Sequence, residues 1–322
     1  MSAKIRCAIL DDYQNVALTY ADWSSLDDKV DTQVINQHIA DEEMLVKTLA
    51  DAEIVVIMRE RTPFTAALFA RLPKLKLLIT SGMRNASVDL EAAKLHGVTV
   101  CGTGSGGSAP TELTWGLILG LARHLVTENN ALRDNGTWQS TVGLGLSGKR
   151  LGLIGLGKIG QQMAKIGHAF GMKVVAWSQN LTAEHAAKHS VELAASKEAL
   201  LATSDVVSIH LVLSDRSRGL VDAADLALMK PSALLINTSR AAIVDQPALI
   251  AALQQGKIGG AGLDVFDVEP LPAEHPFRSL PNVLATPHIG YVSDDNYRIY
   301  FSEAVENIES FLAGNPVRVL SI

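Results

Sequence analysis

Residues 151–160, LGLIGLGKIG, constrain this chain more than any other stretch. An apolar run that ends in Gly155-Leu156-Gly157-Lys158-Ile159-Gly160 reads as a buried strand passing through a tight turn into a helix. Gly155 permits the turn, Gly157 lets the backbone come close to a pyrophosphate, and Gly160 lets the helix pack against the sheet. The start of such a helix presents unpaired N–H groups and a positive dipole end to phosphates. Ile159, Met163, Ile166 and Phe170 follow at steps of four, three and four, which predicts a buried helical stripe. Gly171 stands where a terminating glycine belongs, and Lys173–Trp177 supplies a second strand. Glycines at this spacing are common in turns of every kind. The strand–turn–helix–strand setting is what points to a dinucleotide site.

At 322 residues the chain has room for two domains. A hydrophobic content of 48% with 19% charged residues describes an ordinary globular protein. The net charge of −6 gives no electrostatic reason to expect nucleic acid or an anionic membrane as a partner. Cys7 and Cys101 lie far apart and have no metal-ligand spacing around them, so they read as reduced thiols and no metal site is expected. Asp11-Asp12 interrupts the first apolar run, unlike a signal peptide, and the stretch near Leu117–Ala122 is too short to cross a bilayer. The expectation is a cytoplasmic protein whose partner is a small molecule.

The first hundred residues alternate strand candidates (Ile5–Leu10, Asp31–Ile35, Ile54–Met58, Leu75–Thr80, Val98–Cys101) with helical patterns such as Asp41–Leu49 and Val88–Leu95. That alternation predicts an α/β domain with a parallel sheet. Gly102–Ser108 reads as a flexible boundary, followed by an apolar helix over Thr111–His124 and a less regular segment containing Trp138. From Lys149 onward, strands are expected again at Val206–Leu211, Ala233–Asn237, Gly259–Val265 and Val283–Thr286, making a second doubly wound sheet. After His288 the pattern changes to a long helix over Asp294–Ala313.

Three segments at expected strand ends carry the chemistry: Asn237-Thr238-Ser239-Arg240, Gly262–Pro270 and Thr286-Pro287-His288-Ile289-Gly290. Singly, Arg240 reads equally well as a surface ion-pair partner, Glu269 as a solvated charge and His288 as a satisfied histidine. Their shared location beside a cofactor turn favours a joint role. Arg240 has the planar fork that grips a carboxylate in two places. His288 suits proton donation to a developing alkoxide near neutral pH, and Glu269 on its other nitrogen would fix the ring.

Taken in order and spacing, GLGKIG, the Ser208–Leu211 strand end, Met229-Lys230-Pro231, NTSR, GLDVFDVEP and TPHIG resemble the D-isomer-specific 2-hydroxyacid dehydrogenase family over about residues 50–320. The resemblance implies hydride transfer between NAD(P) and a D-2-hydroxy acid or its 2-oxo acid. It makes Arg240, Glu269 and His288 catalytic. Gly155, Gly157, Lys158, Ile159, Gly160, Ser178, His210, Thr238, Asp264 and Gly290 become the cofactor set, with Asp264 meeting the nicotinamide carboxamide. It also assigns Ser81, Gly82, Met83 and Arg84 to a loop whose backbone N–H groups face the substrate carboxylate. The implied architecture is two doubly wound parallel-sheet domains, a Rossmann cofactor domain (104–291) inserted in a flavodoxin-like substrate domain (1–103 and 292–322). Family members are usually homodimers built through the cofactor domain, which makes Thr111–His124 the interface candidate, against plain burial within one subunit.

The place of the ribose-binding acid reads Trp177-Ser178-Gln179-Asn180, with neither the acid of an NAD site nor an arginine for a 2′-phosphate. NAD is preferred and NADP stays open. Val212 stands where the family has a proline. Arg59, Arg61 and Arg84 resemble the segment with which phosphoglycerate dehydrogenases meet a phosphate, so 3-phosphoglycerate joins glyoxylate and hydroxypyruvate as a candidate substrate; a solvated charged loop is the alternative. The chain stops soon after Val317–Ile322, so a serine-responsive regulatory domain is not expected. A cofactor-sensing regulatory protein of the same fold is the other reading of the whole chain.

Overall fold

The computed structural model describes residues 3–321. The chain divides into two compact units, Met1–Gly106 with Val292–Ile322, and Gly107–Tyr291. The first contains a five-stranded parallel sheet built from β1 (Ile5–Ile9), β2 (Val30–Val34), β3 (Ile54–Ile57), β4 (Leu77–Thr80) and β5 (Thr99–Cys101), in the order β2-β1-β3-β4-β5. Its central strands β3 and β4 are buried at every position, which is why they read as unbroken apolar runs rather than alternating ones.

The second unit holds β6 (Arg150–Ile154), β7 (Lys173–Trp177), β8 (Glu192–Leu193), β9 (Val206–Ile209), β10 (Leu234–Asn237), β11 (Gly260–Leu263) and β12 (Val283–Ala285). They form one parallel sheet in the order β12-β11-β10-β9-β6-β7-β8. Successive residues serve opposite faces: Val174, Ala176, Val206, Leu234 and Ile236 join one core, and Val175, Val207, Ile209 and Leu235 the other. Strand order reverses between β9 and β6, and in sheets of this kind ligands bind beyond the carboxyl ends of the strands at that point.

Four expectations need correction. The two-residue strand β8 was not foreseen, because so short a piece carries no periodicity. The segment after the apolar helix contains a helix, Leu125–Arg133, with no buried residue and so no apolar stripe to announce it. The apolar helix itself spans Ala109–Ala122, with Pro110 in its first turn, and buries Thr111, Thr114, Trp115, Leu117, Ile118, Gly120 and Ala122 within its own unit.

The glycine-rich stretch read as flexible is pinned. In the helix Asp294–Leu312, Asn296 Oδ1 accepts from Gly106 N (2.7 Å), Glu303 Oε2 accepts from Gly104 N (2.6 Å), and Asn307 Nδ2 donates to Gly102 O (2.9 Å). Spacings of seven and four put these three side chains on one helical face. Three backbone groups that a glycine loop would leave open, Gly102 O, Gly104 N and Gly106 N, are thereby satisfied.

Candidate active site

At the end of β6, Gly155 adopts φ +104°, and a Cβ there would lie 2.4 Å from His210 O. A Cβ on Gly160 would meet Gly155 O at 2.2 Å, so the helix Lys158–Ala169 can start this close to the turn only with glycine there. Gly157 differs: it caps the helix, and among the described residues nothing stands within 4 Å of where its Cβ would be. No side chain caps this helix N-terminus. The first-turn N–H groups of Lys158 and Ile159 are thus left without a side-chain cap beside a glycine that has room around it, the arrangement that receives a pyrophosphate.

His210 follows β9 across the reversal point. Its N–H donates to Ile154 O (2.8 Å), its Nε2 is bonded to Ser208 Oγ (2.8 Å), and its buried Nδ1 has no hydrogen-bond partner among the described residues. Burial pushes the imidazole down to about 3, so the ring is neutral at physiological pH. Ser178 is half-buried at the end of β7, and Val212 is 81% exposed. An open glycine, uncapped helical N–H groups and an unsatisfied neutral imidazole converge on the β6 and β9 ends, and they fit a dinucleotide.

The turn after β10 is organised by Asn237. Its Oδ1 accepts from Ser239 N (3.0 Å) and its Nδ2 donates to Arg240 O (3.0 Å), while Ser239 Oγ donates to Ile209 O (2.7 Å). Arg240 Nη1 donates to Ser239 O at 2.8 Å. Thr114 Oγ1 gives its hydrogen to Pro110 O (2.6 Å), so in its 2.8 Å contact with Thr238 the donor is Thr238.

His288 sits after β12 in the left-handed region, φ +51°. A non-glycine residue there costs on the order of 1–3 kcal/mol and persists where its surroundings over-determine it. Its Nδ1 lies 2.6 Å from Glu269 Oε2, and Glu269 Oε1 accepts from Phe266 N (2.9 Å). A carboxylate only accepts, so Nδ1 carries the hydrogen and Nε2 is the nitrogen left for exchange with a ligand. The ring also meets Tyr291 edge-on, centroids 5.7 Å apart. Around His288, Thr286 Oγ1 (2.6 Å) and Ile289 N (2.8 Å) donate to Asp264 Oδ1, and Gly290 N donates to Oδ2 (2.8 Å). Asp264 is 1% exposed, and burial raises its carboxyl above the usual range despite these donors.

The first unit's candidates lie at its own strand ends. Of the loop's N–H groups, Ser81 N donates to Ile57 O (3.2 Å) and Gly82 N to Thr103 Oγ1 (2.9 Å), which leaves those of Met83 and Arg84 for an anion. Arg59 Nη1 donates to Ser81 O (3.2 Å) and its Nε lies 3.6 Å from Glu60. Arg61 donates to Asp11 O (2.8 Å) and stacks over Tyr13 at 4.5 Å. Arg84 is exposed. Partners that sequence reasoning missed are Ser208, Thr114, Thr103, Thr286 and the Phe266 N–H. Each touches a chosen residue, and Ser208, Thr286 and the Phe266 N–H, two or three positions from His210, His288 and Glu269, were within reach of local reading.

The family model described as D-isomer specific 2-hydroxyacid dehydrogenase, NAD binding domain, matches residues 115–290. A glyoxylate reductase of Aeropyrum pernix is 37% identical over 256 residues, covering 77% of this chain and 76% of that protein. A hydroxypyruvate reductase of Thermotoga maritima is 35% identical over 286 residues, covering 87% and 91%. The crystal structure of a phosphoglycerate oxidoreductase from Vibrio cholerae O395 superposes with a TM-score of 0.91 at 40% identity, covering 96% of this chain and 99% of that one. With its glycine turn, uncapped helix and strand-end histidine in the matched region, the chain belongs to the D-isomer specific 2-hydroxyacid dehydrogenase family and is an NAD-dependent oxidoreductase.

Proposed function

We propose that the protein interconverts a short, unphosphorylated 2-oxo acid, of the glyoxylate or hydroxypyruvate kind, and its D-2-hydroxy acid. The observation that carries this reading is the 2.6 Å Glu269–His288 pair, with Nε2 left for proton exchange. NAD, when bound, supplies or accepts the hydride. His288 Nε2 delivers a proton to the new alkoxide and removes it in the reverse direction, and Glu269 holds the ring and its tautomer. Arg240 grips the carboxylate and stabilises charge on the carbonyl oxygen. Gly155, Gly157, Lys158, Ile159, Gly160, Ser178, His210, Thr238 and Gly290 form the cofactor's bed. Taken by itself, the first unit offers the N–H groups of Met83 and Arg84 as donors to an anion.

The unphosphorylated substrate is favoured because Arg59 and Arg61 are held by Ser81 O, Asp11 O and the Tyr13 ring. Exposed Arg84 supports the second reading, 3-phosphoglycerate. The buried free thiols Cys7 and Cys101 support a cytoplasmic location, and no described helix is long and apolar enough to cross a membrane. The exposed apolar side chains that follow the helix Ala109–Ala122 support a homodimer.

Initial rates with a panel of 2-oxo acids, with and without a phosphate, using NADH and NADPH, test the reading. Hydroxypyruvate or glyoxylate with NADH should be turned over best. His288→Ala should lower kcat by about 10²–10⁴-fold with NADH affinity nearly unchanged, the usual contribution of a positioned acid–base group. Binding of NADH without turnover of any acid would favour a cofactor-sensing role instead.

A further inference from the structure

We propose that Asp264 is a positioning residue for His288, an inference that rests on the proton-transfer reading of the Glu269–His288 pair. The three donors to its carboxylate come from both sides of the histidine: Thr286 Oγ1 two residues before it, Ile289 N one after, and Gly290 N two after. His288 occupies φ +51°, and the local bond from its own N–H to Thr286 O (2.9 Å) is too little by itself to hold an L-residue there. Asp264 supplies the constraint that the local chain lacks.

The anchor is itself rigid. Asp264 follows β11 directly, its N–H donates to Asn237 O (3.1 Å), and its side chain is buried. A buried carboxylate is tolerated when donors satisfy it, and here Oδ1 takes two and Oδ2 one. The loop must close tightly on it, since a Cβ on Gly290 would stand 2.9 Å from Oδ2. Two carboxylates thus divide the work. Glu269 fixes the imidazole through Nδ1, and Asp264 fixes the backbone from which the imidazole projects. The family resemblance assigns Asp264 to the nicotinamide carboxamide, and the three donors from the His288 loop leave its Oδ2 one acceptor position for such a contact.

The test compares Asp264→Asn with wild type, Thr286→Val and His288→Ala. The amide of the Asn variant points a donor at an N–H donor, whereas the Val variant removes one donor and leaves the carboxylate. Kd for NADH, kcat and KM with the best 2-oxo acid, and hydrogen exchange at the Ile289 and Gly290 amides are measured on each. Small misplacements of a reacting group cost about 10²-fold, so Asp264→Asn should lower kcat by about 10–100-fold with Kd for NADH within about threefold. Loss of the tie should also speed amide exchange at 289 and 290 by about tenfold or more, since local opening governs exchange. A Kd raised about tenfold with kcat retained would mark a cofactor contact and overturn the proposal, as would unchanged exchange. If the Asn variant fails to fold, Thr286→Val decides on the same criteria with about a threefold kcat loss expected. Undiminished kcat in His288→Ala would instead reject the proton-transfer reading, and the exchange data would still report whether Asp264 holds the loop.

Discussion

Two glycines in one turn have different reasons to be glycine, and the difference is measurable. Gly160 has Gly155 O 2.2 Å from its missing Cβ, so alanine must force the helix off the turn. Gly157 has open space, so alanine meets no protein atom and projects where a pyrophosphate belongs. Gly160→Ala should therefore lower the unfolding free energy by about 1–3 kcal/mol, the usual cost of overpacking. Gly157→Ala should stay within about 1 kcal/mol of wild type. Both should bind NADH weakly, and chemical denaturation beside a NADH titration separates them; equal stability losses would refute the distinction. His210 makes a second prediction. Its folded value of about 3 lies below its unfolded value, so the unfolded chain binds the extra proton and stability falls as pH drops from about 6.5 toward 3. Between pH 8 and pH 5 that loss is about 2 kcal/mol, and a His210→Asn variant should lack that part of the slope in denaturation measured at both pH values.

The long helix Asp294–Leu312 shows what a single element does for a glycine-rich connector. Asn307 is fully buried and serves both Gly102 O, through Nδ2, and Arg318 Nη1, through Oδ1 (2.9 Å). Asn307→Ala leaves a buried carbonyl unpaired and should cost about 1–3 kcal/mol in urea unfolding, with kcat per folded molecule retained. That helix was legible from its apolar spacing, but the grip of Asn296, Glu303 and Asn307 on Gly102–Gly106 was not, because each bond joins residues about two hundred positions apart. The strands were legible for the opposite reason. A parallel strand buried on both faces, such as Leu234–Asn237, is apolar throughout and announces itself. At the site, the residue types of Arg240, Glu269 and His288 were readable at strand ends. The loop donors to Asp264 and the occupied N–H groups of Ser81 and Gly82 were not, because hydrogen-bond accounting needs the folded backbone.

For the molecule as a whole, the open question is what covers its exposed apolar side chains. The expected interface helix buries much of its apolar surface in its own unit, and the exposed residues come after it: Leu125 (54%), Val126 (50%), Leu132 (61%), Trp138 (77%) and Val142 (95%). They are carried on an ordered piece of chain, since Glu128 accepts from both Ser140 and Thr141 and Leu144 N donates to Ala122 O (2.6 Å). Large exposed apolar groups on ordered chain are candidates for association surfaces. Full burial of one such side chain stabilises by about 1.5–3 kcal/mol, so five on each of two copies are ample against the cost of association. The net charge of −6 is too small to hold two copies apart once those groups meet. Sedimentation equilibrium at micromolar concentration should therefore find a dimer. Trp138→Lys with Val142→Glu should shift it to monomer, while fluorescence-monitored unfolding at low concentration stays near that of wild type, because neither side chain is buried within the chain. A wild-type monomer at that concentration would leave these five side chains without their proposed purpose.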